Sequence, residues 1–401
     1  MNILYIGPNY SEWGQENSPC SLAASKWSRG FLLALSRLVN VTALTHDYYF
    51  PWPKGNKMWS GCDERLHPVE WACEVVPYPV FRYVREWWWR FAYAARAKKI
   101  ISEKQIDVVL IYNCHESWQV PVLRSIKTAF PNVKIIPIIL DGNDPRKDDW
   151  RWMKRAATYS DAFIALSWWV CQHIPEKTGR PSYHFDGGAD AWRGEEIPRK
   201  CKRGFARLSN GELYTSSLDN EYKLVHTGAL DQWRGLDFMI DVVKKMTDKR
   251  KDIKFIFCGK SSVKVLQNVF GSNPSVELPG FVKEEEMRKI CNSADVLLNV
   301  RTPTHPDNIL NYPSKLPHYL SFGRPVVSTR LQSLSPDYAE VVHYPADDTV
   351  EAYIATVNDV LDWDENAKKK EYVKIKEWFG KHKTWDVIVK SLVYWIKEMA
   401  K

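Results

Sequence analysis

Short apolar runs alternate with helical patterns along almost the whole chain. In the first half the runs are Asn2–Ile6, Val41–Thr45, Glu74–Val76, Val108–Tyr112, Lys134–Leu140 and Ala162–Leu166, each predicting a strand. Helical patterns lie between them, near 20–38, 83–104, 118–129, 147–159 and 168–178. The rhythm weakens from Ala191 to Glu221, where a basic cluster (Arg199, Lys200, Lys202, Arg203) precedes Ser, Asn and Gly, as in a linker or surface excursion. It restarts with strands predicted at Lys223–Thr227, Lys254–Cys258, Ser275–Leu278, Val296–Val300, Pro325–Ser328 and Glu340–His343, and helices at 235–248, 284–293, 314–322 and 349–361. Such alternation predicts right-handed βαβ units and parallel sheets, here in two α/β domains. The tail from Lys370 to Lys401 predicts an amphipathic helix, with Trp378, Trp385 and Trp395 at near-helical spacing.

Length agrees with this division, because 401 residues exceed one ordinary core. Hydrophobic residues make up 45% and charged residues 26%, as in a soluble globular protein. No apolar run approaches the roughly 18–20 residues that span a bilayer. The opening MNILYIGPNY reads as a first strand rather than a signal peptide, so a cytoplasmic location is expected. The eight cysteines form no CxxC pair and no zinc spacing, and reduced thiols are expected. Cys114 adjoins His115, but neighbours on a strand point to opposite faces, which argues against a paired nucleophile. A net charge of +8 favours anionic partners without choosing among phosphates, membranes and nucleic acid.

Open parallel sheets bind ligands beyond the carboxyl ends of their strands. After the first strand of the second half comes His226-Thr-Gly-Ala-Leu-Asp-Gln-Trp-Arg-Gly. Gly228 there permits close approach of a phosphate, while Arg234 and Gly235 lead into a helix whose N-terminus favours an anion. Further on, Pro313-Ser-Lys opens a short helix, with Ser314 as its N-cap and Lys315 in its first turn. The helix dipole disfavours a cation at that position, so an anionic ligand is the natural counterweight.

These segments resemble the nucleotide-sugar domain of GT-B glycosyltransferases, most closely the GT4-type retaining family (glycosyl transferases group 1). The resemblance rests on Gly228 with Arg234-Gly235, on Ala294-Asp-Val, and on Ser314-Lys-Leu-Pro-His-Tyr-Leu-Ser-Phe-Gly-Arg-Pro-Val-Val. In the first half, Ala157–Ser167 and Gly188-Ala-Asp190 resemble the family's strand ending in Ser and its interdomain turn. What it implies is an α/β GT-B fold of two Rossmann-like βαβ domains facing a cleft. Residues 1–195 would bind the acceptor, 196–221 would link, 222–382 would bind the nucleotide-sugar, and a C-terminal helix, 383–401, would pack back on the first domain. The implied activity is transfer of a hexosyl or pentosyl unit from a nucleotide-diphosphate sugar to an acceptor hydroxyl, with retention and with neither metal nor cofactor. Arg234, Lys315 and His115 are the catalytic candidates; Gly228, Arg234, Lys260, Ser314, Lys315, Leu316 and His318 are the donor-binding candidates.

Three departures from the family pattern stand out. Ala229 occupies a usual arginine position, Leu310 and His318 occupy the places of two glutamates, and the first loop, Asn9–Pro19, carries a single Gly14. They leave room for a non-catalytic nucleotide-sugar-binding protein on the same scaffold. A transferase acting on modified nucleic-acid bases is a further alternative, although no nucleic-acid module is recognisable. A nicotinamide oxidoreductase is disfavoured, because Gly7-Pro-Asn-Tyr lacks the GxGxxG spacing. The acceptor is expected to be a saccharide or lipid-linked, with His115 and Asp141 at strand ends as possible contacts. The stretch Arg82–Ile101 sets Trp87, Trp88 and Trp89 among Arg82, Arg85, Arg90, Arg96, Lys98 and Lys99. It fits either a core helix with a basic outer face or peripheral association with an anionic membrane.

Overall fold

The computed structural model describes all residues except 141–149, 190, 196–205, 208–212, 215–220, 233, 260–262, 303–304, 306 and 401. The chain divides into two compact units: Met1–Asp190 with Leu310–Tyr312 and Trp385–Lys401, and Ala191–Ile309 with Pro313–Thr384. The first limit therefore falls before 195. The reason is local: the Arg193 amide donates to the Ser321 carbonyl (2.8 Å) and the Glu195 amide to Asn292 Oδ1 (3.2 Å), which ties this segment to the second unit.

In the first unit, β1 (Asn2–Ile6), β2 (Asn40–Thr45), β3 (Ala72–Val75), β4 (Val108–Tyr112), β5 (Lys134–Ile139), β6 (Phe163–Ala165) and β7 (Ser182–His184) form a parallel sheet. Its order is β3-β2-β1-β4-β5-β6-β7. The helices are α1 (Glu12–Asn17), α2 (Leu22–Ser36), α3 (Arg82–Lys104), α4 (Gln119–Ala129), α5 (Arg151–Ala157) and α6 (Trp168–Thr178). Ile3, Leu4, Tyr5 and Val108–Ile111 are wholly buried, as expected of central strands covered on both faces.

The second unit holds a short antiparallel pair, β8 (Ala206–Arg207) and β9 (Leu213–Tyr214). Its main sheet contains β10 (Tyr222–Thr227), β11 (Ile253–Cys258), β12 (Val276–Gly280), β13 (Val296–Asn299), β14 (Val326–Ser328) and β15 (Val342–His343), in the order β12-β11-β10-β13-β14-β15. Its helices are α7 (Leu236–Lys249), α8 (Val263–Phe270), α9 (Glu284–Asn292), α10 (Asp307–Leu310), α11 (Lys315–Leu320), α12 (Val350–Leu361) and α13 (Glu365–His382). The strand order reverses at β1/β4 in one sheet and at β10/β13 in the other, and the loops at such points form ligand crevices.

The tail is two helices rather than one. After α13 the chain breaks at Lys383, whose ammonium lies over the rings of Tyr338 (4.3 Å) and Trp378 (5.2 Å). The closing helix, α14 (Trp385–Ala400), packs on α2, where the Trp385 ring meets Trp27 edge-on at 5.9 Å. Trp378 thus serves the second unit and Trp385 the first, so their shared spacing does not mark one face. The apolar pattern also missed α1, α10, β7 and the β8–β9 pair, which are too short to show a period, and the eight-residue α8, whose Val263, Leu266 and Phe270 do recur at helical spacing. The short α1 begins under a Ser11 cap, whose Oγ accepts from the Gly14 amide at 3.0 Å.

Candidate functional site

The mouth of the second sheet is built around the end of β10. The Gly228 amide donates to the Cys258 carbonyl at 2.7 Å, and Gly228 itself turns at φ +88°. A Cβ built there would lie 3.9 Å from Lys315 Nζ, so the lysine stands directly over this turn. Gly259, at the end of β11, comes so close that a Cβ would sit 2.4 Å from the Gly228 carbonyl oxygen. Two neighbouring strands thus end on glycines whose backbones come close together, the form of turn that admits a phosphate.

Tyr319 explains how α11 holds Lys315 in place. Its hydroxyl is fully buried and accepts from the Thr227 amide at 2.6 Å, pinning the helix to the last residue of β10. Four positions earlier on the same helix face, Lys315 Nζ lies 3.2 Å from His226 Nε2. His226 Nδ1 faces the Leu298 carbonyl at 3.0 Å, and a carbonyl only accepts. The proton therefore sits on Nδ1, and Nε2 offers its lone pair to the Lys315 ammonium. Burial, then the Lys315 charge, hold His226 well below its ordinary pKa, so it stays neutral. Burial also lowers Lys315, to about 7, with Arg301 and Arg234 adding to the effect and Asp231 opposing it.

Arg301 was not among the residues singled out from the sequence. It directly follows β13 and Val300, is largely buried, and is locked by reciprocal bonds to the Thr329 hydroxyl (3.0 and 2.9 Å). Its Nη1 donates to Asn308 Oδ1 at 3.3 Å. It supplies a second guanidinium acting on Lys315, beside that of Arg234. A cation just past a central parallel strand was the signal that could have found it. Arg234 pairs with Asp231 three residues earlier, and the Arg234 amide also bonds Asp231 Oδ1 (3.1 Å). At φ +88°, Gly235 then starts α7 without a side-chain cap.

Gly228, Arg234 and Lys315 therefore converge. Ser314 does not cap α11: its backbone is already helical (φ −54°, ψ −18°) and it makes no cap bond, which leaves its hydroxyl exposed. Leu316 is fully buried, and its amide is taken by the Pro313 carbonyl (2.9 Å), so it belongs to the core rather than to the donor contacts. His318 lies one turn beyond Lys315, half-buried, its ring edge-on to Phe322 at 5.0 Å. Leu310 is buried and offers no polar group. Lys260 and Asp141 lie outside the described residues. His115 belongs to the first unit, exposed after β4, with Trp152 edge-on at 6.1 Å. Burial pushes the neighbouring Cys114 thiol far up, which makes it a poor nucleophile. Among the described residues no cluster of three or more His, Cys, Asp or Glu is placed to hold a metal ion.

Residues 221–362 match the profile of the family described as Glycosyl transferases group 1. No curated protein sequence matches the chain. Solved structures do, over nearly its whole length. Sucrose-phosphate synthase from Thermosynechococcus elongatus has a TM-score of 0.69 at 11% identity, covering 100% of this chain and 99% of that one. A glycosyltransferase from Rickettsia africae gives 0.65 at 10% identity, with 100% and 98% covered. An Anabaena protein in complex with UDP and glucose gives 0.61 at 13% identity, with 99% and 100% covered. At such identities the likeness is one of fold.

Proposed function

We propose that this glycosyltransferase of the GT-B fold, whose residues 221–362 carry a glycosyl transferases group 1 domain, takes its sugar from a nucleoside-diphosphate donor held at the β10 mouth. The observation that carries the reading is the Lys315 ammonium standing over the bare Gly228 turn, with Arg301 and Arg234 acting on it. A diphosphate there would offset the repulsion that Arg301 and Arg234 exert on Lys315. The same fixed donors would stabilise the negative charge that grows on the leaving diphosphate, the main catalytic term expected without a metal. The family resemblance adds retention at the anomeric carbon, with the donor phosphate helping to deprotonate the acceptor. The acceptor, a saccharide or lipid-linked hydroxyl, is assigned to the first unit, with His115 as its candidate contact. The UDP complex of the similar Anabaena fold supports a nucleotide donor.

The test is calorimetric titration of UDP, GDP and ADP against wild type, Lys315→Ala and Arg234→Ala, followed by a donor panel with mass detection of released sugar. Affinity for one diphosphate should fall by about tenfold or more in Lys315→Ala, since hydrogen bonds to charged groups contribute about 1.5–3 kcal/mol. Equal affinity in all three proteins would remove the assigned phosphate site. Tight binding with neither hydrolysis nor transfer across the panel would favour the non-catalytic alternative.

A further inference from the structure

The first unit exposes a cluster of large apolar side chains that its own core does not use. On α3 the exposed positions are Tyr83 (82%), Val84, Trp87 (57%) and Phe91 (58%), spaced to share one helical face. Of the three consecutive tryptophans only Trp89 is in the core; Trp88 is half-buried with its Nε1 donating to the Pro77 carbonyl (2.9 Å), and Trp87 points outward. The segment after β2 brings a second set to the same place. Its Trp52 amide donates to the Val80 carbonyl (2.9 Å) and the Val80 amide to the Met58 carbonyl (2.9 Å), which fastens it to the chain entering α3. Trp59 then meets Trp88 at 5.4 Å, and Trp52 meets Phe81 at 5.9 Å. Trp52, Met58 and Trp59 are each about half exposed or more.

Charge around this cluster is mostly positive. The two segments 48–60 and 78–91 carry Lys54, Lys57, Arg82, Arg85 and Arg90 against Glu86 alone, and Glu86 accepts from the Ser117 hydroxyl at 2.7 Å. The Arg82 guanidinium lies over the Tyr83 ring at 5.7 Å, and Lys57 over Tyr49 at 4.5 Å. Tryptophan and tyrosine favour the headgroup level of a bilayer, and each lysine or arginine near an anionic surface adds attraction. Among the described residues no helix is long and apolar enough to cross a membrane, so contact would be with the surface only.

We propose that the face formed by Trp52, Met58, Trp59, Tyr83, Trp87 and Phe91 docks this protein on an anionic lipid surface, with Lys54, Lys57, Arg82 and Arg90 reading the headgroup charge. This goes beyond the transfer reaction and does not depend on it. The experiment is cosedimentation of the full chain with phosphatidylcholine vesicles, with and without phosphatidylglycerol, at low and high salt. Wild type should sediment with the anionic vesicles, less so at high salt. Trp87→Ser/Phe91→Ser should partition about tenfold less, because buried apolar side chains supply much of such binding. Lys57→Glu/Arg82→Glu should lose the preference for anionic lipid. Unchanged nucleoside-diphosphate affinity in the variants would show that they fold and would separate this proposal from the donor site. Wild type that stays in the supernatant, or variants that partition as wild type does, would overturn it. So would sedimentation-velocity data showing a lipid-free dimer that the Trp87→Ser/Phe91→Ser pair dissociates, since the face would then serve a second copy.

Discussion

The two sheet mouths treat charge in opposite ways. In the first unit, the loops after β1 and β2 close on themselves. His67 Nε2 meets Asp47 Oδ1 at 2.7 Å and its Nδ1 meets the Asn9 carbonyl at 2.6 Å, while Asp47 Oδ2 accepts from the Asp63 amide at 3.0 Å. The Tyr78 hydroxyl donates to the Asp47 carbonyl (2.9 Å), and the Tyr10 hydroxyl donates to the His46 carbonyl (3.0 Å). In the second unit, among the described residues, the charges acting on Lys315 are two guanidiniums and one carboxylate. One mouth is matched internally; in the other, guanidiniums press on a lysine that a bound anion would favour in its charged form. Burial without a matching charge is costly, which is why a lysine held in this way points to a ligand, whereas a completed pair points to structure.

The largest effect should come from breaking the completed pair. Removing one partner of a buried hydrogen-bonded pair costs about 1–3 kcal/mol for each polar group left unsatisfied, and Asp47 is bonded to both His67 and the Asp63 amide, with both side chains of the pair almost wholly buried. Asp47→Ala should therefore lower the thermal unfolding midpoint sharply while leaving nucleoside-diphosphate affinity, measured well below that midpoint, as in wild type. A matching loss of affinity would mean that the two mouths are not independent. Next comes Gly259→Ala. Its Cβ would lie 2.4 Å from backbone at a φ of +157°, so the ends of β10 and β11 must part. Strain of this kind costs about 1–3 kcal/mol, and here it should cost both stability and donor affinity, in contrast to Asp47→Ala. Calorimetric unfolding and diphosphate titration on the same sample check both.

Much of this contrast was legible in the chain, and unevenly so. The buried strands announced themselves because parallel sheets covered on both faces need unbroken apolar runs, such as Val108–Tyr112. Lys315 was legible because a cation in a helix's first turn runs against the dipole, and Gly228 because a strand ended on glycine. Arg301 was marked only by its position just past a predicted strand, since its place beside Lys315 exists only once β13 lies next to β10. Leu316 sits inside the same motif as Lys315, yet the helix turns it into the core; a motif lists neighbours without saying which way each faces. The break at Lys383 does not show in the apolar pattern of the tail, because it involves the rings of Tyr338 and Trp378; only the family resemblance set a last helix apart at 383–401. The Asp47–His67 pair spans twenty residues with no spacing that marks it.

Replacing Lys315 should have opposite consequences for binding and folding. Lys315→Met removes a charge-assisted contact and should weaken diphosphate binding by about 10- to 100-fold, or roughly 1.5–3 kcal/mol. The ligand-free variant should nevertheless be at least as stable as wild type. The sign follows from Lys315 having a folded-state pKa of about 7, below the value of about 10.4 for an unfolded lysine. Between those values the unfolded chain binds more protons, so wild-type stability rises with pH across that window, and below it the buried charge is a standing cost. The methionine variant should lack that part of the slope in chemical denaturation at pH 7 and pH 9. A variant less stable than wild type at pH 7 would show that the lysine stem, rather than its charge, dominates.

The smallest effect, read per pH unit, is also the most specific to the open mouth. In the free protein Lys315 is about half charged near pH 7, while a bound diphosphate favours the charged form. Above pH 7, binding must therefore draw a proton from solution, and affinity should fall with pH by up to about tenfold per unit. Phosphate groups have a second pKa near 6, so a nucleoside diphosphate itself changes little between pH 7 and 9 and the slope belongs to the protein. Titration in two buffers of different ionisation enthalpy would count the proton directly. Asp47→Ala should keep the full slope, because the first mouth takes no part in it, and Lys315→Met should flatten it. If wild type bound equally well at pH 7 and pH 9 with no proton uptake, the ammonium over Gly228 would not be facing the anion, and the contrast between a closed and an open mouth would have to rest on Arg234 and Arg301 alone.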